Sequence, residues 1–501
     1  MKIKSFFAKP YAAIVHKKIQ KEMRTAVQDQ ERIFKDLLKH GSFTQFGNDH
    51  RLREVQQYDA FSQAIPVHTY DMLKPYLEHI KEGKSNVLWK GRPLYFAKTS
   101  GTTNAVKYIP ISRESIHNQV NSARNVLLSY MATSRNADFA NGNMIFLSDP
   151  PTLERFAGIP TGRLSGIINH HVPAYMRNNQ FPSYETNCIE NWEDKLARIV
   201  AETMNKDLTL ISGMPTWIQM YLDWLLEHSQ KNDIKHLFPS LQVLIHSGAN
   251  FDVYRSRLKE RVGFDIDTLE TYPTSEGFFA FQDSVQAEGM LLNTNSGIFY
   301  EFIPISEIHK DQPKRLRLQD VELGQKYVLI ISSNAGLWGY NMGDIVQFVS
   351  LDPYRIIVKG RVKHYISLFG EQVISHDVER AMLAATNQHQ LKVVDFIVAP
   401  HTESEGAPYY EWLIAADAPL SDLETRAFEV TIDHMLRMQN KAYDNLIVEH
   451  QLQASRVRFL PGNAFQQYMK SIGKLGGQHK LPRLSNNYEL AAQLSASNIT
   501  I

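Results

Sequence analysis

Five short stretches of this 501-residue chain gather residue types able to bind anions, a hard metal ion or a vicinal diol. The first runs from Phe96 to Lys107. Four hydroxyl side chains, Thr99, Ser100, Thr102 and Thr103, surround Gly101, and Lys107 closes the stretch. Glycine admits positive φ and lets a ligand approach the backbone closely. Hydroxyls and backbone N–H groups around it make an anion nest, for which phosphate oxygens are natural guests. The G-x-x-x-x-G-K-[ST] spacing of a Walker loop is absent, and a polar surface turn is the alternative.

The second stretch is Glu270 to Phe279, with Tyr272 four residues before Glu276 and a turn bearing Pro273, Thr274, Ser275 and Gly277. An aromatic ring there offers a face to a nucleobase. A lone carboxylate beside phosphates suits Mg²⁺, a hard cation that shares its shell with phosphate and water. The competing reading is a helix start with Thr274 as N-cap. The third is Gly336 to Asp344, containing Tyr340. Ionised Asp344 presents two acceptor oxygens, a match for paired ribose hydroxyls; an Asx-type turn opening a strand is the plainer reading. The fourth, Lys359 to His364, carries Arg361 and Lys363; the fifth, Gly473 to Arg483, combines glycines with Lys474, Lys480 and Arg483. Arg361 suits ribose or phosphate, and a glycine-rich loop suits a lysine brought to a phosphate. An exposed hairpin end and a solvated basic tail are their bland counterparts.

The elements that must position these groups follow from patterning. Residues 11–60 read as helical, with Ile14, Ile19, Met23, Val27 and Ile33 spaced along Gly- and Pro-free runs. From about residue 87, short apolar segments (143–147, 208–211, 241–245, 327–331) alternate with helical ones (216–228, 253–261). That alternation predicts an α/β domain with largely parallel sheets. Residues 345–361 read as two strands around Asp352-Pro353. Strands at 391–398 and 409–415 and an amphipathic helix at 420–438 predict a small α+β domain. The expected division is a large domain, 1–362, and a small one, 363–501, joined by a short hinge.

Composition narrows the class. Lys plus Arg number 54 against 53 Asp plus Glu, a net +1, and apolar residues make up 43%. That is an ordinary globular composition without the basic excess of a nucleic-acid binder. One cysteine, Cys188, excludes a disulfide scaffold and reads as a packed residue. No run of 18 apolar residues and no signal-peptide pattern occurs. A cytoplasmic protein with neither nucleic-acid nor membrane partner is expected. His170-His171 lacks the Asp of a His-His-x-x-x-Asp motif and reads as structural or substrate-facing.

The order and spacing of all five stretches resemble the GH3 family of acyl-acid amido synthetases, within the superfamily of acyl-adenylating enzymes. Thr99–Thr103 through Lys107 is similar to the family's phosphate loop, although Asn104-Ala105 stands where a further glycine is usual. Tyr272–Glu276 resembles its Tyr-x-x-[ST]-Glu motif and Tyr340–Asp344 its Tyr-x-x-Gly-Asp motif. Gly360–Lys363 resembles the hinge signature. Gln478–Arg483 resembles the C-terminal Gln-Tyr-Lys-x-Pro-Arg element, with His479 in place of tyrosine and Gln372 where relatives carry lysine. With Gly213–Trp217, these favour GH3 proteins over CoA ligases.

The resemblance implies a large adenylate-forming domain and a small mobile one, with ATP and Mg²⁺ as cofactors. It implies an acid activated as acyl-AMP and passed to an amine, an amino acid first of all. Its implied roles are phosphate binding for Thr99, Ser100, Gly101, Thr102, Thr103 and Lys107; an adenine or acyl wall for Ser247, Gly248 and Ala249; adenine stacking for Tyr272; and ribose binding for Asp344. The nucleotide site also takes in Thr274, Ser275, Tyr340 and Arg361. Glu276 holds Mg²⁺, Lys480 is the catalytic lysine with Lys474 as runner-up, Lys363 is the hinge, and Arg124 pairs with the acid. The competing readings are an acyl-CoA ligase on the same fold and a binding homologue without turnover.

Overall fold

The structure, a computed structural model, describes residues 3–100, 106–172, 177–248, 251–308, 310, 312–362, 365–402, 407–475 and 481–496. The chain groups into two compact units, Met1–Gly248 with Ile266–Val358, and Ala249–Asp265 with Lys359–Ile501.

The first unit begins with helices Ile3–Arg24, Ala26–Gly41, Gln45–Asp49, Tyr58–Ala64 and Tyr70–Lys81. Its strands are β1 (Tyr95–Ser100), β2 (Val106–Ile111), β3 (Asn143–Phe146), β4 (Glu154–Phe156), β5 (Ile159–Gly162), β6 (Gln180–Phe181), β7 (Leu208–Gly213) and β8 (Val243–Ser247). They continue with β9 (Asp267–Pro273), β10 (Phe278–Phe281), β11 (Met290–Leu292), β12 (Ile298–Pro304), β13 (Lys326–Ser333), β14 (Tyr340–Leu351) and β15 (Tyr354–Arg361), the last running on to the second unit. A four-stranded sheet has the order β2-β1-β5-β4 and an eleven-stranded one β12-β13-β14-β15-β11-β10-β9-β8-β7-β3-β6.

The predicted α/β class holds, but the parallel arrangement covers only part of the large sheet. Strands β6, β3, β7, β8 and β9 are mutually parallel. Helices such as Trp192–Thr203 and Pro215–Ser229 supply the long crossovers that parallel pairing requires. After β9 the connections shorten. Four residues join β9 to β10, too few for a crossover, and the pairs β9/β10, β10/β11, β11/β15, β12/β13 and β13/β14 are antiparallel.

The N-terminal helices seal this sheet. Strand β12 is an edge, whose unpaired backbone groups need partners. Gln30, buried on helix Ala26–Gly41, supplies them: Nε2 donates to the Thr294 and Ile298 carbonyls, each at 2.9 Å, and Oε1 accepts from the Tyr300 N–H at 2.8 Å. The apolar stripe of that helix, Ile33, Phe34, Leu37 and Leu38, is buried, and the Phe34 ring lies 4.9 Å from that of Phe299. Among the described residues no helix is long and apolar enough to cross a membrane.

In the second unit, β16 (Tyr365–Ile366) pairs with β17 (Val373–Ile374), and β18 (Val393–His401), β19 (Tyr409–Ala416) and β20 (Arg456–Pro461) form a three-stranded sheet. The two-residue period of β19 separates its faces. Tyr410, Trp412 and Ile414 pack toward helices Ser375–His389 and Asp422–Gln439, whereas Leu413 and Ala415 join Phe465 and Leu494 on the other side.

A buried histidine ties the N-terminal helices to the sheet. His68 donates from Nδ1 to the Trp338 carbonyl at 2.8 Å, and its backbone brackets Tyr340 through bonds to Gly339 and Asn341. Burial, reinforced by neighbouring His50, lowers its pKa to about 4, so the folded protein holds it neutral. In the unfolded chain it titrates near 6.5. Between those values the unfolded state binds more protons, so stability is fully present above pH 6.5 and falls as pH drops toward 4. The expected loss is on the order of 3 kcal/mol across that window. Urea unfolding at a series of pH values should show it, and a His68→Gln variant should lose that component of the slope.

Candidate active site

The carboxyl ends of the parallel strands share one edge. Phe146 of β3 pairs with Ser212 of β7, Gly213 of β7 with His246 of β8, and Ser247 of β8 with Thr271 of β9. Ligands of open α/β sheets bind beyond such an edge. Here Met214-Pro215 opens a helix after β7, Gly248 follows β8 with φ +80°, and Thr274–Gly277 follows β9.

The Thr274–Gly277 stretch is a hairpin turn rather than a helix start. The Thr274 N–H donates to the Gly277 carbonyl at 2.8 Å, and Thr274 Oγ1 accepts from the N–H groups of Glu276 and Gly277, each at 3.2 Å. This fixes the backbone of Ser275 and Glu276, both half-buried. Gly277 is constrained by packing: a Cβ there would lie 2.5 Å from Ile298 Cδ1.

Asp344 reaches the site through an irregularity in β14. Val328 pairs with Ile345 and Ile330 with Asn341, so Met342, Gly343 and Asp344 stand opposite Leu329 alone. Gly343 has φ +72°, a left-handed value suited to glycine, and its N–H donates to Asn341 Oδ1 at 2.7 Å. The bulge directs Asp344 inward, where it is buried and accepts a hydrogen bond from the Tyr272 hydroxyl. In a flat sheet the four strand spacings between β14 and β9 would span about 19 Å. Direct contact therefore requires the sheet to curl back on itself between β14 and β9. Tyr272 is itself buried, its ring edge-on to Phe279 at 5.1 Å. Such a hydrogen bond to a carboxylate orients one oxygen and so sets the direction of the other.

The other expected residues fall as follows. Thr99 and Lys107 face each other at the neck of the β1–β2 hairpin, and Ser100 pairs with Val106. Lys107 Nζ lies 5.4 Å from the centre of the Tyr70 ring. Tyr340 is buried in the bracket around His68. Arg124 is exposed and stacks over Tyr11 at 5.8 Å. Gly101, Thr102, Thr103, Ala249, Lys363 and Lys480 lie outside the described residues. In the second unit, Arg361 and Lys474 are exposed. Among the described residues no group of three His, Cys, Asp or Glu side chains is placed to hold a metal ion. A nucleotide-bound Mg²⁺ needs less, one or two carboxylates plus phosphate and water, and Glu276 on its fixed turn offers one.

Several supporting residues were not evident from sequence. His68 acts through a long-range hydrogen bond, which no local pattern announces, whereas Asn341 and Phe279 act close in sequence, on Gly343 and on Tyr272. Lys195, buried on helix Trp192–Thr203, donates to the carbonyls of Ser148 and Asn187 at 2.8 and 2.9 Å and so pins the loop after β3; burial lowers its pKa to about 8. Trp217 and Tyr221 on helix Pro215–Ser229 are core: Trp217 packs on Trp192 at 4.9 Å, and fully buried Tyr221 bonds Thr203. Arg483 is largely enclosed within the second unit, donating to Asp395, to the Phe396 carbonyl at 2.9 Å and to the Tyr254 hydroxyl at 2.5 Å.

Comparison with known proteins agrees with this arrangement. The GH3 family N-terminal domain matches residues 15–171, the central domain 291–361 and the C-terminal domain 376–489, together more than half of the chain. The chain belongs to the GH3 family. It is 21% identical to the indole-3-acetic acid-amido synthetase GH3.15 of Arabidopsis thaliana over 94% of this chain and 93% of that one. It is 20% identical to the jasmonoyl-L-amino acid synthetase JAR4 of Nicotiana attenuata over 73% and 75%. Among solved structures, the GH3.15 acyl acid amido synthetase superposes with a TM-score of 0.79 over 96% of this chain and 95% of its own, at 14% identity. A 2-hydroxyisobutyryl-CoA ligase in its postadenylation state superposes at 0.62 over 95% and 92%, at 12% identity. This GH3 protein thus shares the fold of adenylate-forming ligases.

The Tyr272–Asp344 contact is measurable apart from any ligand. A double-mutant cycle of Tyr272→Phe and Asp344→Asn, read by urea unfolding, should give a coupling of about 1.5–3 kcal/mol, the range for a hydrogen bond to a charged group. Additive single effects would show that the contact carries no energy.

Proposed function

We propose that this GH3 protein is an ATP-dependent ligase that activates a carboxylic acid as acyl-AMP and transfers the acyl group to an amine, an amino acid first of all. The observation carrying this reading is the inward Asp344 carboxylate, oriented by Tyr272 beyond the ends of the parallel strands. The names of the relatives, amido synthetases for indole-3-acetic acid and jasmonate, support the reaction class.

In this reading an oxygen of the acid attacks the α-phosphorus of ATP. The new C–O–P linkage forms as the bond to the β-phosphate oxygen breaks and pyrophosphate leaves. The amine nitrogen then attacks the acyl carbon, its proton is lost to solvent or a base, and AMP departs. Positioning and charge neutralisation supply most of the rate in such steps. Asp344 accepts hydrogen bonds from the ribose hydroxyls, and Tyr272 orients it while lying against the base. Ser247, Gly248 and Ala249 line the nucleotide, with Tyr340, Thr274 and Ser275 backing it. Thr99 to Thr103 and Lys107 take the β- and γ-phosphates.

Glu276 would hold Mg²⁺, which neutralises phosphate charge when bound. Lys480 at the α-phosphate, the pivot at Lys363, Arg361 at the ribose or phosphates, and Arg124 at the acid rest on the motifs alone. The protein is expected to act in the cytoplasm on small molecules.

The test is acid-dependent pyrophosphate release with Mg-ATP across aryl, indolyl and fatty acids, with and without amino acids or CoA. Release that rises with an amino acid, and falls on the order of 10²–10³-fold in Lys480→Ala, is the expected result. Stimulation by CoA alone would make it a CoA ligase. ATP binding without release under any acid would make it a binding protein.

A further inference from the structure

We propose that helix Ile3–Arg24 docks this protein on anionic lipid surfaces. The helix is apolar on two sides. Ala12, Val15 and Ile19 are buried in the core with residues of helix Arg113–Ser134 such as Val126 and Tyr130. On the opposite side Phe6 is 73% exposed and Ile14 66%, and Tyr11, on the flank, is 44% exposed. Phe6, Pro10 and Ile14 succeed one another at four-residue intervals on one face of the helix, so the two exposed apolar side chains share a stripe.

The outward side is also basic. Lys17, Lys21 and Arg24 lie on it, and Lys9 and Lys18 flank it, all exposed. Residues 3–24 hold six Lys or Arg against the single acid Glu22, in a chain whose net charge is only +1. Glu22 is half-buried, accepts from Asn295 at 2.8 Å and lies 3.6 Å from Lys18 Nζ, so it offsets little of the outward charge.

At 1.5 Å per residue the helix is about 33 Å long. Phe6, Pro10 and Ile14 occupy the N-terminal half of its outward stripe, and Lys17 and Lys21 continue that stripe. The apolar half of this stripe would enter the acyl boundary while the basic half meets the headgroups, so both halves are used against one anionic surface. Clusters of four to eight basic residues on such a helix draw it to anionic lipid. A polyanion would use the lysines but leave Phe6 and Ile14 unsatisfied. The family match begins at residue 15, so Phe6, Tyr11 and Ile14 precede the matched region. Interfacial binding needs neither the length nor the uniform hydrophobicity of a membrane span.

The test is co-sedimentation of the full chain with vesicles of phosphatidylcholine alone and of phosphatidylcholine with roughly one-third phosphatidylglycerol. Binding to the anionic vesicles only is expected. It should weaken about tenfold or more in Lys17→Glu/Lys21→Glu and also in Phe6→Asp/Ile14→Asp, with thermal unfolding unchanged in both. Equal binding to both vesicle types, or to neither, overturns the proposal. Loss in the lysine variant alone, with comparable binding to heparin, would make the face a polyanion site. A dimer in sedimentation that Phe6→Asp/Ile14→Asp dissociates would assign it to a second copy of the chain.

Discussion

The hydrogen bond from Tyr272 to the buried Asp344 carboxylate is the constraint around which the first unit is arranged. It joins two strands four positions apart in the sheet, and the sheet must curl to allow it. The bulge at 342–344 aims the carboxylate, Gly343 makes the bulge sterically possible, and Asn341 holds it by a side-chain bond. Immediately upstream, His68 brackets Tyr340, and Trp338 donates its indole N–H to the Leu88 carbonyl at 2.9 Å. A carboxylate buried in low dielectric is costly unless held by donors. The segments on either side of helix Tyr70–Lys81, through His68 and Leu88, thereby fix the backbone that leads into the 342–344 bulge.

The second unit shows the same economy with charge. Arg483 follows the residues 476–480 and is held on several sides, by Asp395, Tyr254 and the Phe396 carbonyl, with Glu379 3.6 Å away. The backbone there pairs with β18, Val398 bonding both Arg483 and Ser485. Arginine suits this position because its planar guanidinium directs five donors along fixed lines. Removing the side chain would leave the partly buried Asp395 and Glu379 carboxylates without their shared cation, a larger penalty than the loss of one surface ion pair.

The helical start, the strands at 208–213, 243–247 and 326–333, and the helix at 215–229 were legible because local periodicity encodes them. The resemblance to the GH3 motifs implies one nucleotide site for Tyr272 and Asp344, and the structure brings these two side chains into hydrogen-bond contact. Whether neighbouring strands run parallel was not legible. That depends on connection length and on pairing across long sequence distances, and it changed after Pro273. The residues that hold the site in place were equally silent. Gln30 and His68 lie far in sequence from the strands they bond, and nothing local distinguishes a glutamine that caps a sheet edge from one in solvent.

On the proposed function, Asp344 and Tyr272 form the nucleoside-binding part of the site. A crystal structure of the protein with a non-reactive acyl-adenylate mimic tests it most directly. The expected result places the ribose 2′- and 3′-hydroxyls at about 2.5–3.0 Å from the Asp344 carboxylate, with the base against the Tyr272 ring. An adenylate bound with its ribose remote from Asp344, or one that leaves Tyr272 untouched, would contradict it.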